Sequence, residues 1–456
     1  MMKKHTRTLK KGALAFSLLD NHHIEEVHYQ NIQINQFRGN EIFGSISDIF
    51  LRFRKENQAY SLFDYVKKYA VGDDYLHLIG RIRKIDFEII LTLASENLWF
   101  YQVSLSGKAE NLDVVYVQDV GLGDKNGVQA NELYLSQYLD HRILIKNGSN
   151  IICSRQNLGT PNPLLAQGAL DIRITNYCTD QMQWLGQNYK ISGEPVLLNQ
   201  DLPNLNYQFE LATIALQTER FSLNGKKTFA FYGYVIKHQD QPVTEAFFLQ
   251  DIIRQYQVIK QTSSNLNFEQ NTRALSKNIG KNPLVCRDFA LKELDEIFGD
   301  RLFPEEKNNI LLSFFTKDYA HVVLREKERE LERPTGHIIT SLNSLNELDK
   351  DLLTSTNYSY GLFNAQVAAG NTSMNKFLSA NRGLLNNGRI TGQRIYVKID
   401  EYYQILGVPS AYEMGLNYAK WYYALASDLI EVCVFMSGQQ NKINMTISSK
   451  CGLKYD

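Results

Sequence analysis

Apolar and polar residues alternate along the first half of the chain, and this period of two predicts strands. From Ser45 to Arg54, Ile46, Ile49, Leu51 and Phe53 stand among polar partners. Ile85 to Leu93 and Leu98 to Leu105 are β-rich runs split by Ser95, Glu96 and Asn97, a hairpin signature. Asp113 to Val120 is another strand. Asn147-Gly148 separates Arg142–Lys146 from Asn150–Ser154, which predicts a hairpin on a favoured turn pair. Asn224-Gly225 predicts the turn of a third hairpin, with arms Tyr207–Leu223 and Lys226–His238. One helix is expected among these strands, at about Val128 to Leu139.

The period changes in the middle of the chain. Phe247, Leu249, Ile252, Ile253, Tyr256 and Ile259 recur at helical spacing. Phe268–Ile279 and Arg287–Phe298 also read as helices. Pro304 followed by Glu305 and Glu306 predicts a helix start, with acids at the positive end of the dipole. The mixed charge run Arg325–Arg333 reads as a solvated helix face or an edge strand. Strands return as Ser355–Ala369, Arg389–Lys398, Tyr402–Val408, Met414–Tyr423, Leu429–Met436 and Lys442–Ser448. The expected fold class is mainly β. It comprises an antiparallel sandwich at 1–240, a helical linker at 241–350 and the beginning of a second sandwich at 351–456. This last region has few strands and no closing element, so an open sheet edge or apolar face is expected there.

Composition narrows the function classes. Among 456 residues, 49 basic and 49 acidic side chains cancel, which argues against whole-molecule attraction to nucleic acid or an anionic membrane. No apolar run reaches the length of a membrane span. Five widely spaced cysteines without a CxxC argue against a disulfide framework or a cysteine zinc site, and fit a reducing cytoplasm. The basic start, Lys3 to Lys11, is expected to be a tail leading into a first strand and not a signal peptide, because no small-residue cleavage site follows.

Few residues form a chemical constellation. Gly121, Gly123 and Gly127 follow a strand and precede a helix, but the spacing is GxGxxxG and the helix leads into an antiparallel hairpin. A dinucleotide site needs a βαβ unit, so the glycines are expected to serve a tight turn. His22, His23 and His28 lie near Glu25 and Glu26 without metal-ligand spacing, and are expected to be exposed. His337 is expected on a turn, and His141 has no evident partner. The aromatic run Trp421, Tyr422, Tyr423 is the candidate carbohydrate-binding surface, together with Arg394 and Tyr396 on a neighbouring strand. On a strand, Trp421 and Tyr423 share one face and Tyr422 takes the other. The alternative for these rings is sheet core.

Two segments carry a resemblance. VYVQDVGLGDKNGVQANELYLSQYLDH begins at Val115. The second spans Leu353 to Tyr423 and includes STNYSYGLFNAQVAAGNTSMNKFLSANRGLL, TGQRIYVK and VPSAYEMGLNYAKWYY. Together they resemble the N-terminal half of 1,2-β-oligoglucan phosphorylases, relatives of cellobiose phosphorylase. The resemblance implies galactose-mutarotase-like supersandwich domains, a helical linker and an (α/α)6 barrel. It implies inverting phosphorolysis of β-1,2-glucooligosaccharides to α-glucose 1-phosphate. A barrel aspartate acts as acid, inorganic phosphate attacks, and no metal or organic cofactor is required. The barrel has no counterpart here, so no catalytic residue carries over and the chain alone is expected to be inactive. The implied partners are a β-glucan oligosaccharide and a second copy or a separate barrel chain. The alternatives are a stand-alone carbohydrate-binding scaffold, and a sugar epimerase built on a His/Glu pair.

Overall fold

The strand Leu98–Asp119 runs for 22 residues and is the spine of the N-terminal β region in the computed structural model. The structure describes residues 7–41, 44–130, 132–159, 161–207, 211–260, 267–271, 279–330, 336–340, 352–359, 366–369, 376–379, 395–437 and 442–455. They form two compact units. One is Met1–Gly186 with Pro195–Leu275, and the other is Gln187–Glu194 with Ser276–Asp456.

In the first unit the spine pairs antiparallel with Ile85–Ser95, Phe221–Ile236, Asp48–Phe53 and Ala212–Thr218. These belong to a 13-stranded sheet, and a smaller sheet of five strands is built mainly from residues 7–33. Alternation divides the spine's side chains. Trp99, Tyr101, Val103 and Leu105 enter the main core, whereas Leu98 and Phe100 meet Ile252 and Tyr256 of the helix Leu249–Lys260 on the other side. Full burial of such a side chain contributes about 1.5–3 kcal/mol, so this strand anchors both cores.

The hairpin at Asn147-Gly148 forms as expected, with φ of 52° and 73° at the two turn residues. Asn224-Gly225 does not make a turn. Both residues lie inside the strand Phe221–Ile236, where Asn224 pairs with Lys108 and Gly225 with Gly107. Ala212–Thr218 and Phe221–Ile236 follow one another along the spine, both antiparallel to it, so the chain does not reverse between them and the expected hairpin is absent. A glycine facing a glycine lets two long strands bend together at φ values of 143° and 106°. A sequence pattern cannot distinguish that bend from a turn.

In the second unit a seven-stranded antiparallel sheet runs in the order Leu302–Lys307, Ile310–Phe315, His321–Leu324, Ala411–Met414, Tyr418–Ala424, Leu429–Met436, Ile443–Ser449. One face packs Trp421, Tyr423, Val432 and Val434 with Ile339 and Val397. The other face packs Tyr422, Phe314 and Val322 against Leu294 and Phe298 of the helix Leu291–Phe298.

Three expectations need correction here. Pro304 lies in an edge strand and does not start a helix. Proline is tolerated at an edge because its missing N–H costs no ladder bond there. Met414–Tyr423 is two strands joined by a turn, in which the Gly415 N–H donates to the Tyr418 carbonyl. The charge run at 325 begins as the helix Arg325–Glu330, but Arg325 and Glu328 are buried and not solvated. No helix among the described residues is long and apolar enough to cross a membrane.

Candidate functional site

The strand Tyr418–Ala424 has apolar or aromatic residues on both faces, so it is central and covered on both sides. Trp421, Tyr422 and Tyr423 are 0%, 3% and 1% exposed. Trp421 and Tyr423 share one core and Tyr422 belongs to the opposite one, as strand alternation requires. Their polar atoms are committed within the fold. Trp421 Nε1 donates to the Tyr358 carbonyl at 2.7 Å, and the Tyr423 hydroxyl donates to the Gly407 carbonyl at 3.3 Å. The Glu413 carboxylate accepts from the Tyr418 and Tyr422 hydroxyls at 2.6 and 2.5 Å. A sugar stacks on an exposed ring face, and these rings present none to solvent. Tyr396 is half-buried at the start of the strand Tyr396–Ile399. Arg394 lies outside the described residues.

The histidine expectations also change. His22 and His23 are buried, and burial lowers the His22 pKa to about 4. His23 Nε2 lies 3.5 Å from Asp64 Oδ1, and His28 Nε2 lies 2.9 Å from Glu26 Oε2. His337 sits within the strand Gly336–Thr340 and not on a turn. His141 is buried with Nδ1 2.9 Å from the Ser154 hydroxyl, and burial takes its pKa down to about 4. Its side-chain partner is thus a hydroxyl and not the carboxylate that an epimerase pair would need. No cluster of three or more His, Cys, Asp or Glu suited to a metal occurs among the described residues. Gly121 follows the end of the spine strand and Gly123 opens the short strand Gly123–Asp124 of the smaller sheet, and the Gly121 N–H donates to the Ile34 carbonyl.

Buried ionisable groups concentrate in the first unit. Arg52 and Asp113, 1% and 0% exposed at their side chains, form a two-pronged pair at 2.6 and 3.0 Å. Arg52 also donates to the carbonyls of Leu197 and Gln200. Asp119 accepts from the backbone N–H groups of Gln36 and Phe37 at 2.7 and 2.6 Å and from the Ser47 hydroxyl at 3.2 Å. Asp48 accepts from Ile49 N–H and the Ser61 hydroxyl. Burial raises the pKa of Asp48 and of Asp119 to about 6. Raised carboxyl pKa values are what a general acid requires. Here both groups are sealed and hold backbone together, so they read as fold-determining.

An open site exists elsewhere in this unit. A cleft of about 340 Å³ lies between the tip of the Asn147-Gly148 hairpin, the segment Ala169–Arg173 and the helix Leu249–Lys260. Lys146, Ser149, Asp171, Arg173 and Glu219 supply its polar groups, and Leu249 and Ile253 its apolar ones. Arg173 Nε donates to Glu219 Oε2 at 2.7 Å. Hydroxyl and paired charges beside apolar carbon suit a polyhydroxylated ligand. Sequence reading missed this cleft because its residues come from four separated segments. The adjacent turn pair was legible, but the helix that walls the cleft is about a hundred residues away in the chain.

Comparison with known proteins agrees with the two-unit layout. Residues 17–233 match the SOGP N-terminal domain, and residues 298–456 match the glycoside phosphorylase supersandwich domain. A 1,2-β-oligoglucan phosphorylase from Listeria innocua serovar 6a is 33% identical over 98% of this chain and 41% of its own length. The chain therefore spans about two fifths of that relative. Among solved structures, a candidate aldose 1-epimerase from Escherichia coli K12 is 9% identical with a TM-score of 0.31, covering 51% of this chain and 99% of its own. A heparan sulfate lyase HepC mutant from Pedobacter heparinus is 11% identical with a TM-score of 0.30, covering 57% and 38%. Likenesses this distant support no functional conclusion. Residues 17–233 and 298–456 thus resemble an SOGP N-terminal domain and a glycoside phosphorylase supersandwich domain in that order, and the chain is similar to part of a 1,2-β-oligoglucan phosphorylase.

Proposed function

We propose that this chain is the non-catalytic β-sandwich region of a β-1,2-glucan phosphorylase-like protein, serving glucan binding and domain or dimer assembly. The observation that carries this reading is the 33% identity over 98% of the chain to a 1,2-β-oligoglucan phosphorylase. In the whole enzyme, phosphate attacks the anomeric carbon while an acid protonates the leaving oxygen. That acid and the phosphate site belong to a barrel outside this sequence. The buried carboxyls described here support the division of labour. Asp48, Asp113 and Asp119 are each at least 93% buried and engaged within the fold.

In this reading Trp421, Tyr422 and Tyr423 are scaffold. The cleft at Lys146, Arg173 and Glu219 is the glucan-contacting surface, with sugar hydroxyls on the polar side chains and ring carbons against Leu249 and Ile253. Calorimetric titration with β-1,2-glucooligosaccharides tests this. Binding that weakens in Arg173→Ala, with unchanged thermal stability, is expected because Arg173 is on the surface. No binding by the unmodified chain removes the carbohydrate role.

A further inference from the structure

In an asparagine-glycine pair the next backbone nitrogen attacks the side-chain amide most readily, because glycine has no side chain to screen that nitrogen. Three such pairs lie in the described residues, and the fold treats them differently. Asn126-Gly127 is in the helix Lys125–Ala130, and the Gly127 N–H is held by Asp124 Oδ1 at 3.4 Å. Asn224-Gly225 is inside the ladder that Phe221–Ile236 makes with the spine strand. Asn147-Gly148 is the tip of a hairpin, and Lys146, Asn147 and Gly148 are all exposed. Among the described residues none holds the Gly148 N–H or the Asn147 amide by a hydrogen bond. A fourth pair, Asn387-Gly388, lies outside the described residues.

The base of this hairpin is fixed and its tip is not. The Ser149 hydroxyl accepts from the Ile174 N–H at 2.9 Å, and the Asn150 amide donates to the Ile174 carbonyl at 3.0 Å. These bonds hold the tip beside Arg173. A Cβ built on Gly148 would lie 3.9 Å from Arg173 Cδ and from its Nη1. Attack requires the Gly148 nitrogen to lose its proton, and the positive charges of Arg173 and Lys146 favour that anionic form. Attack also requires rotation of the Asn147 backbone. An exposed loop tip opens locally at a small fraction of the free energy that opening a paired ladder requires.

We infer that Asn147 is a site of self-modification, at which deamidation converts the side-chain amide to a carboxylate at the rim of the cleft. The Gly148 nitrogen attacks Asn147 Cγ. The new N–Cγ bond closes a five-membered imide as the Cγ–Nδ2 bond breaks, and the leaving nitrogen takes up protons and departs as ammonia. Water then adds to one imide carbonyl and reopens the ring. Opening on one side leaves an aspartyl side chain, and opening on the other leaves an isoaspartyl linkage with one more carbon in the main chain. No atom is oxidised or reduced. Asn147 lines the cleft, so either product adds a negative charge to a site in which Arg173 is already paired with Glu219. The modification stands apart from the glucan reading, because it needs only water.

Ageing the folded chain in mildly alkaline buffer, followed by peptide mapping with mass spectrometry, tests this. The peptide carrying Asn147 is expected to gain the mass difference between an amide and a carboxyl at least about ten times faster than those carrying Asn126 and Asn224. In urea the three rates should converge, since the fold no longer distinguishes them. Arg173→Ala should slow the conversion at Asn147 severalfold, because it removes the adjacent positive charge. Asn147→Asp has no amide to lose, and on isoelectric focusing it should lack one of the acidic bands that the aged original chain acquires. It is expected to fold, because aspartate, like asparagine, tolerates the positive φ of this position. An Asn147 that stays intact in the folded chain while the urea-treated chain converts overturns the inference. Faster conversion of Asn126 or Asn224 in the folded chain overturns it as well.

Discussion

The indole Nε1 of Trp421 donates a hydrogen bond to the Tyr358 carbonyl at 2.7 Å, inside a core where Trp421 is 0% exposed. The residue best suited by sequence to stack on a sugar is therefore a structural pin. Trp421→Ala is expected to destabilise the protein by about 3–5 kcal/mol. Trp421→Phe keeps most of the packing but strands a buried carbonyl, an expected loss of about 1–3 kcal/mol. Urea denaturation checks both. A folded Trp421→Ala variant of native stability that loses glucan affinity would restore the ring as a binding platform.

The pair Arg52–Asp113 is buried, with side chains 1% and 0% exposed. Removing one partner leaves a buried charge uncompensated, so Asp113→Ala should cost about 3–5 kcal/mol. The exposed pair Lys55–Glu110 is the internal comparison, and Glu110→Ala should leave the denaturation midpoint almost unchanged. Equal effects from the two variants would contradict the burial argument.

Asp119 makes a pH prediction. Its pKa is raised by burial to about 6, above the ordinary carboxyl value of 3.8. The folded state therefore holds the proton more tightly than the unfolded chain. Stability from this group is fully present below pH 3.8 and is lost as pH rises through 6. Asp119→Asn keeps an acceptor for the Gln36 and Phe37 amides and cannot ionise. Its thermal midpoint relative to the unmodified protein should be highest at pH 7 and should fall as the pH is lowered through 6. A difference that does not vary with pH would show that the three hydrogen bonds balance burial, and one that grows as the pH is lowered would show that they outweigh it.

The facing glycines separate space from backbone strain. A Cβ at Gly107 would stand 2.8 Å from the Lys84 carbonyl oxygen, whereas one at Gly225 meets nothing within 4 Å. Both have positive φ, so alanine is strained at each. Gly107→Ala should destabilise by more than about 1 kcal/mol, and by more than Gly225→Ala. The reverse order in chemical denaturation would contradict the registered pairing of the two strands.

What the sequence made legible follows from range. Alternation located the strands near Asp48, Ile85, Leu98 and Leu429, because a half-buried strand records its own faces. It also sorted Trp421 and Tyr423 from Tyr422 correctly. It did not reveal that both faces of that strand are covered, since burial depends on the helix Leu291–Phe298 and on Ile339, far away in the chain. Local signals misled at Asn224-Gly225 and Pro304, where the residues of a turn and of a helix start serve a bend and a sheet edge. The cleft beside Arg173 had no sequence signal, because no single segment contains it.

Phosphorolysis by the purified chain tests the central claim most directly. The chain would be incubated with β-1,2-glucooligosaccharide and inorganic phosphate, and α-glucose 1-phosphate would be measured. A non-catalytic sandwich region is expected to release none above the protein-free control. Sustained release in proportion to chain concentration would contradict the account and place the acid and the phosphate site within these residues.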